Sequence, residues 1–338
     1  MDLTLAAALF LVSAIVIAIG GTILARVADQ LADLTGWGEA MFAAVFVGGA
    51  TSLPGSIASI VAAYQGYPVL AVSNAIGGIA AQTVFLSVAD ISYPKINLEH
   101  AAASFANLMQ GVLLMGLLSI ILIGISGPEV TVFHIHPFSI VIILLYVLGT
   151  KLIYSAKNRP MWNPRITHET VEDKPDQQTI ENLSLKKVGF KFFVLVVVVS
   201  LAGYAVAESG IAISENTGLS ESLVGALFTA VATSLPELVV SVAAVRQRAL
   251  ILAVGNIIGG NTFDVLFIAF ADLAFLQGSI LHALTSDQIF ITALALLMTA
   301  VLILGLLHRE KQGIAKIGWE SVTVVIIYLG AYLFLFFG

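Results

Sequence analysis

The chain has 338 residues, of which 59% are hydrophobic and only 11% charged, with a net charge of -6. Soluble domains carry about 25% charged residues, so water is not the main solvent of this chain. Fifteen scattered Lys and Arg exclude a basic nucleic-acid surface, and the absence of cysteine excludes disulfides, zinc thiolate sites and thiol chemistry.

Ten apolar runs follow in chain order, at roughly 3–25, 40–64, 69–91, 101–125, 132–155, 187–209, 220–245, 249–275, 287–308 and 314–337. Each is long enough to cross a hydrocarbon core of ~30 Å. The first is too long for a signal-peptide core and lacks a basic leader, so it reads as a membrane helix. Between the fifth and sixth lies the polar stretch from Lys157 to Lys187, with Pro160, Pro164 and the acid-rich run from Glu169 to Asp176. It reads as a linker over 157–186 between halves 1–156 and 187–338.

Basic residues fall in alternate loops: Arg26; Lys95; Lys157 to Lys187; Arg246 and Arg248; Arg309 to Lys316. By the positive-inside rule these face the cytoplasm. The expectation is a multi-pass protein of the cell (inner) membrane with both termini extracytoplasmic.

The chain repeats itself at an offset of 182. Ala50-Thr51-Ser52-Leu53-Pro54 falls on Ala232-Thr233-Ser234-Leu235-Pro236, and Asn74, Gly77, Gly78 and Asp90 fall on Asn256, Gly259, Gly260 and Asp272. Between 41–91 and 223–273, 20 of 51 positions are identical without a gap, too many for chance even in apolar sequence. Five spans is an odd number, so the second copy lies upside down. The expected fold is an all-α membrane protein of ten transmembrane helices in two inverted five-helix repeats, an arrangement used by secondary transporters.

The repeated segment carries the chemistry. Proline cannot donate to the carbonyl four residues back, so Pro54 frees that of Ala50 and Pro236 that of Ala232. The hydroxyls of Thr51, Ser52, Thr233 and Ser234 stand beside them, gathering neutral oxygens at mid-membrane depth that suit hard cations. Glu237 and Asp264 lie deep in the seventh and eighth spans, where a carboxylate costs ~2.5–3.5 kcal/mol on insertion scales. No Lys, Arg or His lies at comparable depth, leaving a bound cation or a proton as counter-charge. The first copy has Gly55 and Gln82 at the corresponding places, so the site carries two carboxylates; Gln82 still offers a carbonyl oxygen. Gly77-Gly78 and Gly259-Gly260 suit close helix approach as well as they suit ligation by backbone. Asn74 and Asn256 read as helix caps, Asp90 and Asp272 as solvated or capping, His134 and His136 as solvated loop residues, and Glu208 as an outer-end acid that is not part of the site.

These motifs, running on through Gly255-Asn256-Ile257-Ile258-Gly259 to Asn261-Thr262-Phe263-Asp264, resemble the two α-repeats of the calcium/cation antiporter superfamily, the sodium/calcium exchanger group. The resemblance covers all ten spans. It implies that helices two, three, seven and eight surround central cation sites, with Thr51, Ser52, Thr233, Ser234, Glu237, Asp264 and the carbonyls of Ala50 and Ala232 at ion-ligating positions. The family usually has Glu where Gly55 stands, serines at Gly78 and Gly260, and often Asn at Gln82. Fewer anionic oxygens argue against ordinary Na⁺/Ca²⁺ exchange. The reading is a secondary cation antiporter without a prosthetic group, exchanging Ca²⁺ or another divalent ion for Na⁺ or H⁺. The rivals are a monovalent Na⁺/H⁺ exchanger and a non-transporting cation-binding relative. No nucleotide-binding loop and no nucleophile–base pair point to an enzyme, and nothing in the sequence states the oligomeric state.

Overall fold

The computed structural model describes residues 1–35, 40–93, 96–157, 160, 162–165, 167, 184–311, 313 and 317–337. Among them the chain is all-helical, with one isolated bridge between Val132 and Ile135. The helices are α1 (Leu3–Thr35), α2 (Ala40–Thr51), α3 (Leu53–Tyr64), α4 (Pro68–Ile91), α5 (Leu98–Ala102), α6 (Phe105–Ser126), α7 (Pro137–Lys157), α8 (Leu185–Thr217), α9 (Glu221–Thr233), α10 (Leu235–Arg246), α11 (Leu250–Asp264), α12 (Leu266–Ala274), α13 (Ser286–His308) and α14 (Trp319–Phe337). Most of the predicted linker lies outside the described residues.

Among the described residues eight helices are long and apolar enough to cross a membrane, counting Leu250–Ala274 as one; the pair α9 and α10, bent by 47°, makes a ninth if read as one span. The predicted span over 40–64 is divided into α2 and α3 and is not among them. Both pairs, α2 with α3 and α9 with α10, break at a serine two residues before proline, Ser52 and Ser234, because the proline ring excludes a continuous ladder. A π-helical turn, Val224–Thr229, lies inside α9.

The first and sixth spans are longer than their apolar runs. At 33 residues each, α1 and α8 are ~50 Å long at 1.5 Å per residue. The polar residues Arg26, Asp29 and Asp33 suggested a loop, but no proline or glycine interrupts the ladder between them and Thr35. These two helices pack on one another and remain largely exposed, whereas α4, apolar nearly all round, is buried at the centre.

Several contacts fix which ends lie together. Asn216 Nδ2 at the end of α8 donates to Met1 O at 3.1 Å, so α1 and α8 run antiparallel. Tyr67 and Gln65, before α4, donate to Glu215 and Glu208 of α8. Gln288, opening α13, donates to Ser73 and Ser222 at 2.9 and 3.0 Å. The other end of α13 meets α5 through Arg309 and His100.

Asp90 and Asp272 are buried at 1% and 0% exposure, not solvated. Each clamps a loop that folds back beneath its helix. Asp90 accepts from Leu98 N (2.7 Å) and Gly318 N (3.2 Å). Asp272 accepts from Ile280 N and His136 N (both 2.7 Å) and from Ser139 Oγ (2.6 Å). His136 is likewise buried rather than solvated, its ring stacked on Phe138 and edge-on to His282. His134 is half-buried in a left-handed backbone conformation.

Candidate functional site

The two breaks and the middle of α4 and α11 converge on a narrow cavity lined by Ser52, Gly55, Asn74, Gly78, Gln82, Thr233, Ser234, Glu237, Asp264 and Phe267. It has no room for a water molecule. Ser52 precedes the first residue of α3, and Glu237 stands in the first turn of α10, where the positive end of the helix dipole favours a carboxylate. Asp264 ends α11 and is buried. All nine residues singled out from the sequence are buried: Ala50, Thr51, Ser52, Gln82, Ala232, Thr233, Ser234, Glu237 and Asp264.

Gln82 and Asp264, 182 positions apart, touch directly. Gln82 Nε2 donates to Asp264 Oδ2 at 2.6 Å and to Ser234 Oγ at 3.2 Å. The Ser52 hydroxyl lies beside both Glu237 and Asp264, outside hydrogen-bond geometry. The oxygens that remain without a hydrogen-bond partner are Ser52 Oγ, Gln82 Oε1, Asp264 Oδ1 and both of Glu237. Leaving one buried polar atom unpaired costs ~1–3 kcal/mol, and more for a charged group. Here five do so around one cavity, and all five are oxygens with lone pairs to offer. Thr51 and Thr233 are committed locally: Thr51 Oγ1 donates to Gly48 O at 2.9 Å and Thr233 Oγ1 to Thr229 O at 2.9 Å. Both oxygens keep lone pairs free. Ala50 and Ala232 lie in the last turns before the breaks, where proline leaves their carbonyls without the usual donor.

Three residues of the cavity escaped the sequence reading. Asn74 is no cap: it lies in the second turn of α4, donates to Gly55 O (3.1 Å) and Ser59 Oγ (2.9 Å), and so ties α4 to the break. Asn256 makes the equivalent bond to Ser241 at 3.1 Å. Phe267 lies on the face of Gly55, where an added Cβ would come 2.8 Å from the ring. The paired glycines divide their duties. Gly77 faces the backbone of Ala226, where a Cβ would approach to 2.4 Å, whereas Gly78 and Gly260 face Ser234 and Gln82 at 3.4 and 3.1 Å. The offset of 182, which pairs the asparagines, the second glycines and Phe85 with Phe267, is the signal that could have found them.

Support comes from outside the core. A Cβ on Gly21 of α1 would lie 2.4 Å from the Pro236 ring, and one on Gly203 of α8 would lie 2.6 Å from Pro54 O. Positions 21 and 203 are themselves 182 apart.

Comparison with known proteins gives a consistent family. Two curated relatives are the sodium/calcium exchanger MaX1 of Methanosarcina acetivorans and the putative antiporter CaxA of Alkalimonas amylolytica. The first is 31% identical over 136 residues, spanning 40% of this chain and 37% of that protein's length. The second is 25% identical over 293 residues, 85% of this chain and 84% of that one. Two solved structures share the fold. The sodium-calcium exchanger NCX_Mj, soaked with 10 mM Na⁺ and zero Ca²⁺, superposes with a TM-score of 0.61 at 18% identity, over 98% of this chain and 99% of that one. The H⁺/Ca²⁺ exchanger CAX gives 0.70 at 16%, over 98% and 86%. The sequence profile described as "Sodium/calcium exchanger protein" matches twice, over residues 5–154 and 188–337. The chain is therefore a multi-pass membrane protein belonging to the sodium/calcium exchanger family.

Proposed function

We propose that the chain is a secondary-active antiporter that moves Ca²⁺ or another divalent cation against Na⁺ or H⁺, by alternating access to the cavity at Glu237 and Asp264. In this reading Glu237 and Asp264 are the charged metal ligands. Ser52 Oγ, Gln82 Oε1, the hydroxyls of Thr51, Thr233 and Ser234, and the carbonyls of Ala50 and Ala232 supply neutral oxygens. The observation that carries it is the set of five buried, unpartnered oxygens around a space too small for water. Acceptors without donors are satisfied by a cation, and an ion entering there must exchange its hydration shell for protein oxygens. The relatives named as Na⁺/Ca²⁺ and H⁺/Ca²⁺ exchangers support the substrate class.

The proposal includes ten membrane crossings in two inverted five-helix halves, 1–156 and 187–338, with a cytoplasmic linker at 157–186 and both termini extracytoplasmic. The antiparallel α1 and α8, with bounds 182 apart, support the inversion. Impermeant thiol reagents should label a cysteine at Asp2, and not one at Asn163, in intact cells; the reverse pattern sinks the orientation.

A second reading has its own observation. With Gly55 in the first copy and Phe267 against it, only two carboxylates reach the cavity, which suits monovalent Na⁺/H⁺ exchange. Fluxes of radiolabelled Ca²⁺ and Na⁺ in vesicles holding the purified protein separate the two. Replacing Glu237 by Gln should cut cation-dependent flux by more than the ~10–100-fold typical of outer-shell partners. Unchanged flux from a well-folded Glu237→Gln protein rejects both readings, and the absence of any wild-type flux leaves a cation-binding relative.

A further inference from the structure

At the end of the molecule opposite Met1, α4, α5 and α14 bring three carboxyl side chains together: Asp90, Glu99 and Glu320, each 1% exposed. Asp90 is satisfied as an anion by the N–H groups of Leu98 and Gly318. The other two are not. Glu99 Oε1 accepts from Ser321 Oγ at 3.3 Å, but Glu99 Oε2 and both oxygens of Glu320 have no hydrogen-bond partner.

Among the described residues no cation pairs with them. Arg309 is spent on backbone, donating to His100 O at 3.2 and 2.9 Å, and His100 Nδ1 lies 2.6 Å from Arg309 O; Lys95 and Lys316 lie outside the described residues. Glu310, beside Arg309, adds a further acid. Ionised carboxylates brought together in a buried space repel one another strongly. Burial, and then Asp90 and Glu320, push the Glu99 carboxyl well above its ordinary range. The three side chains are not arranged as a metal-holding group.

The pocket is shaped around the acid. A Cβ on Gly305 would lie 2.5 Å from Glu320 Cγ, and one on Gly318 would lie 2.3 Å from Glu320 Oε1. At the Met1 end, Asp272 makes the same clamp through Ile280 and His136, the latter 182 positions from Gly318. There Leu281 stands for Glu99 and Phe138 for Glu320. One end of the molecule holds its clamp with hydrocarbon and the other with two additional carboxyl groups.

We propose that Glu99 is a proton-binding site, separate from the central cavity, its proton shared with the orphaned oxygens of Glu320 while Asp90 accepts from the backbone. The shared proton gives the orphaned oxygens to each other and removes one charge. Its loss leaves two carboxylates face to face between α5 and α14 and loosens that seam. The site lies eight residues along α4 from Gln82, ~12 Å at helical rise, and it does not depend on which ion the cavity takes.

Infrared difference spectroscopy of the full-length protein tests it. Wild type at neutral pH should show a protonated-carboxyl stretching band that is missing from Glu99→Gln/Glu320→Gln, and the unfolding temperature of wild type should fall on alkalinisation more steeply than that of the double variant. If that variant fails to fold, Glu99→Leu/Glu320→Phe, copied from the opposite end, serves instead. Equal band intensity and equal alkaline slope in wild type and variant overturn the proposal. So does an alkaline stabilisation by added Mg²⁺ or Ca²⁺ seen in wild type and lost in the variant, which would make the pair a metal site.

Discussion

Gly55 shows how one position changes a site beyond its own atoms. Where the resemblance leads one to expect glutamate, the missing side chain leaves space that the Phe267 ring has taken, so restoring the acid is not simple addition. Gly55→Glu alone should destabilise the protein by about 1–3 kcal/mol, the usual cost of overpacking, without raising Ca²⁺ affinity. Gly55→Glu combined with Phe267→Ala should recover stability and bind Ca²⁺ more tightly than wild type. Thermal unfolding and calcium titration of both variants check this, and a gain from Gly55→Glu alone would show that Phe267 yields freely. Deep carboxylates beside a repeated proline motif were legible in sequence because charge in hydrocarbon demands a reason. Phe267 repeats Phe85 at the offset of 182, but nothing in the sequence says that its ring fills the space beside Gly55. Asp90 and Asp272, read as solvated or capping, and His136, read as solvated, are all buried, which their places near the ends of apolar runs did not show. What buries the aspartates is the return of Leu98–Ala102 and Ile280–Ala283 beneath the helices, and what buries His136 is its packing on Phe138 and His282, long-range events without local signal.

At the scale of elements, the breaks at Ser52 and Ser234 were foreseeable from proline chemistry, and the full lengths of α1 and α8 were not. Hydropathy marks where lipid contact ends, and a helix ends only where its ladder is interrupted. These two helices cross both breaks through glycine, Gly21 on Pro236 and Gly203 on Pro54. Gly203→Val should push α8 off the first break and lower flux while leaving most of the stability, because α8 keeps the rest of its contact with α1. Unaltered flux in a normally expressed Gly203→Val protein would show that this contact does not shape the site. The clamp at Asp272 makes a separate prediction about acid. Burial and the neighbouring His282 hold the His136 imidazole below its usual 6.5, with Asp272 opposing. The unfolded chain then takes up a proton before the folded one does, so stability present above 6.5 is lost as the pH falls below it. Unfolding temperature measured down this range should drop less in His136→Gln than in wild type; equal drops would place the acid sensitivity elsewhere.

For the whole molecule, the contact between Gln82 and Asp264 has a meaning of its own. In the inverted arrangement proposed above, residues 182 apart exchange places, so a pair that touches its own counterpart marks where the exchange axis passes. Two identical chains meeting there would have to present the same group twice: two aspartates repelling or sharing a proton, or two neutral amides. One continuous chain escapes that constraint. It sets a donor against an acceptor, so the bond has a direction, and with Glu237 opposite Gly55 all the charge of the cavity belongs to the second half. A carrier whose halves match in backbone and differ in charge has no reason to treat its two sides alike. Exchanging the pair as Gln82→Asp/Asp264→Gln keeps the bond and the net charge while moving half of that charge across the axis. It should alter the ratio of apparent ion affinities measured from the two sides of an oriented vesicle, more than it alters their product.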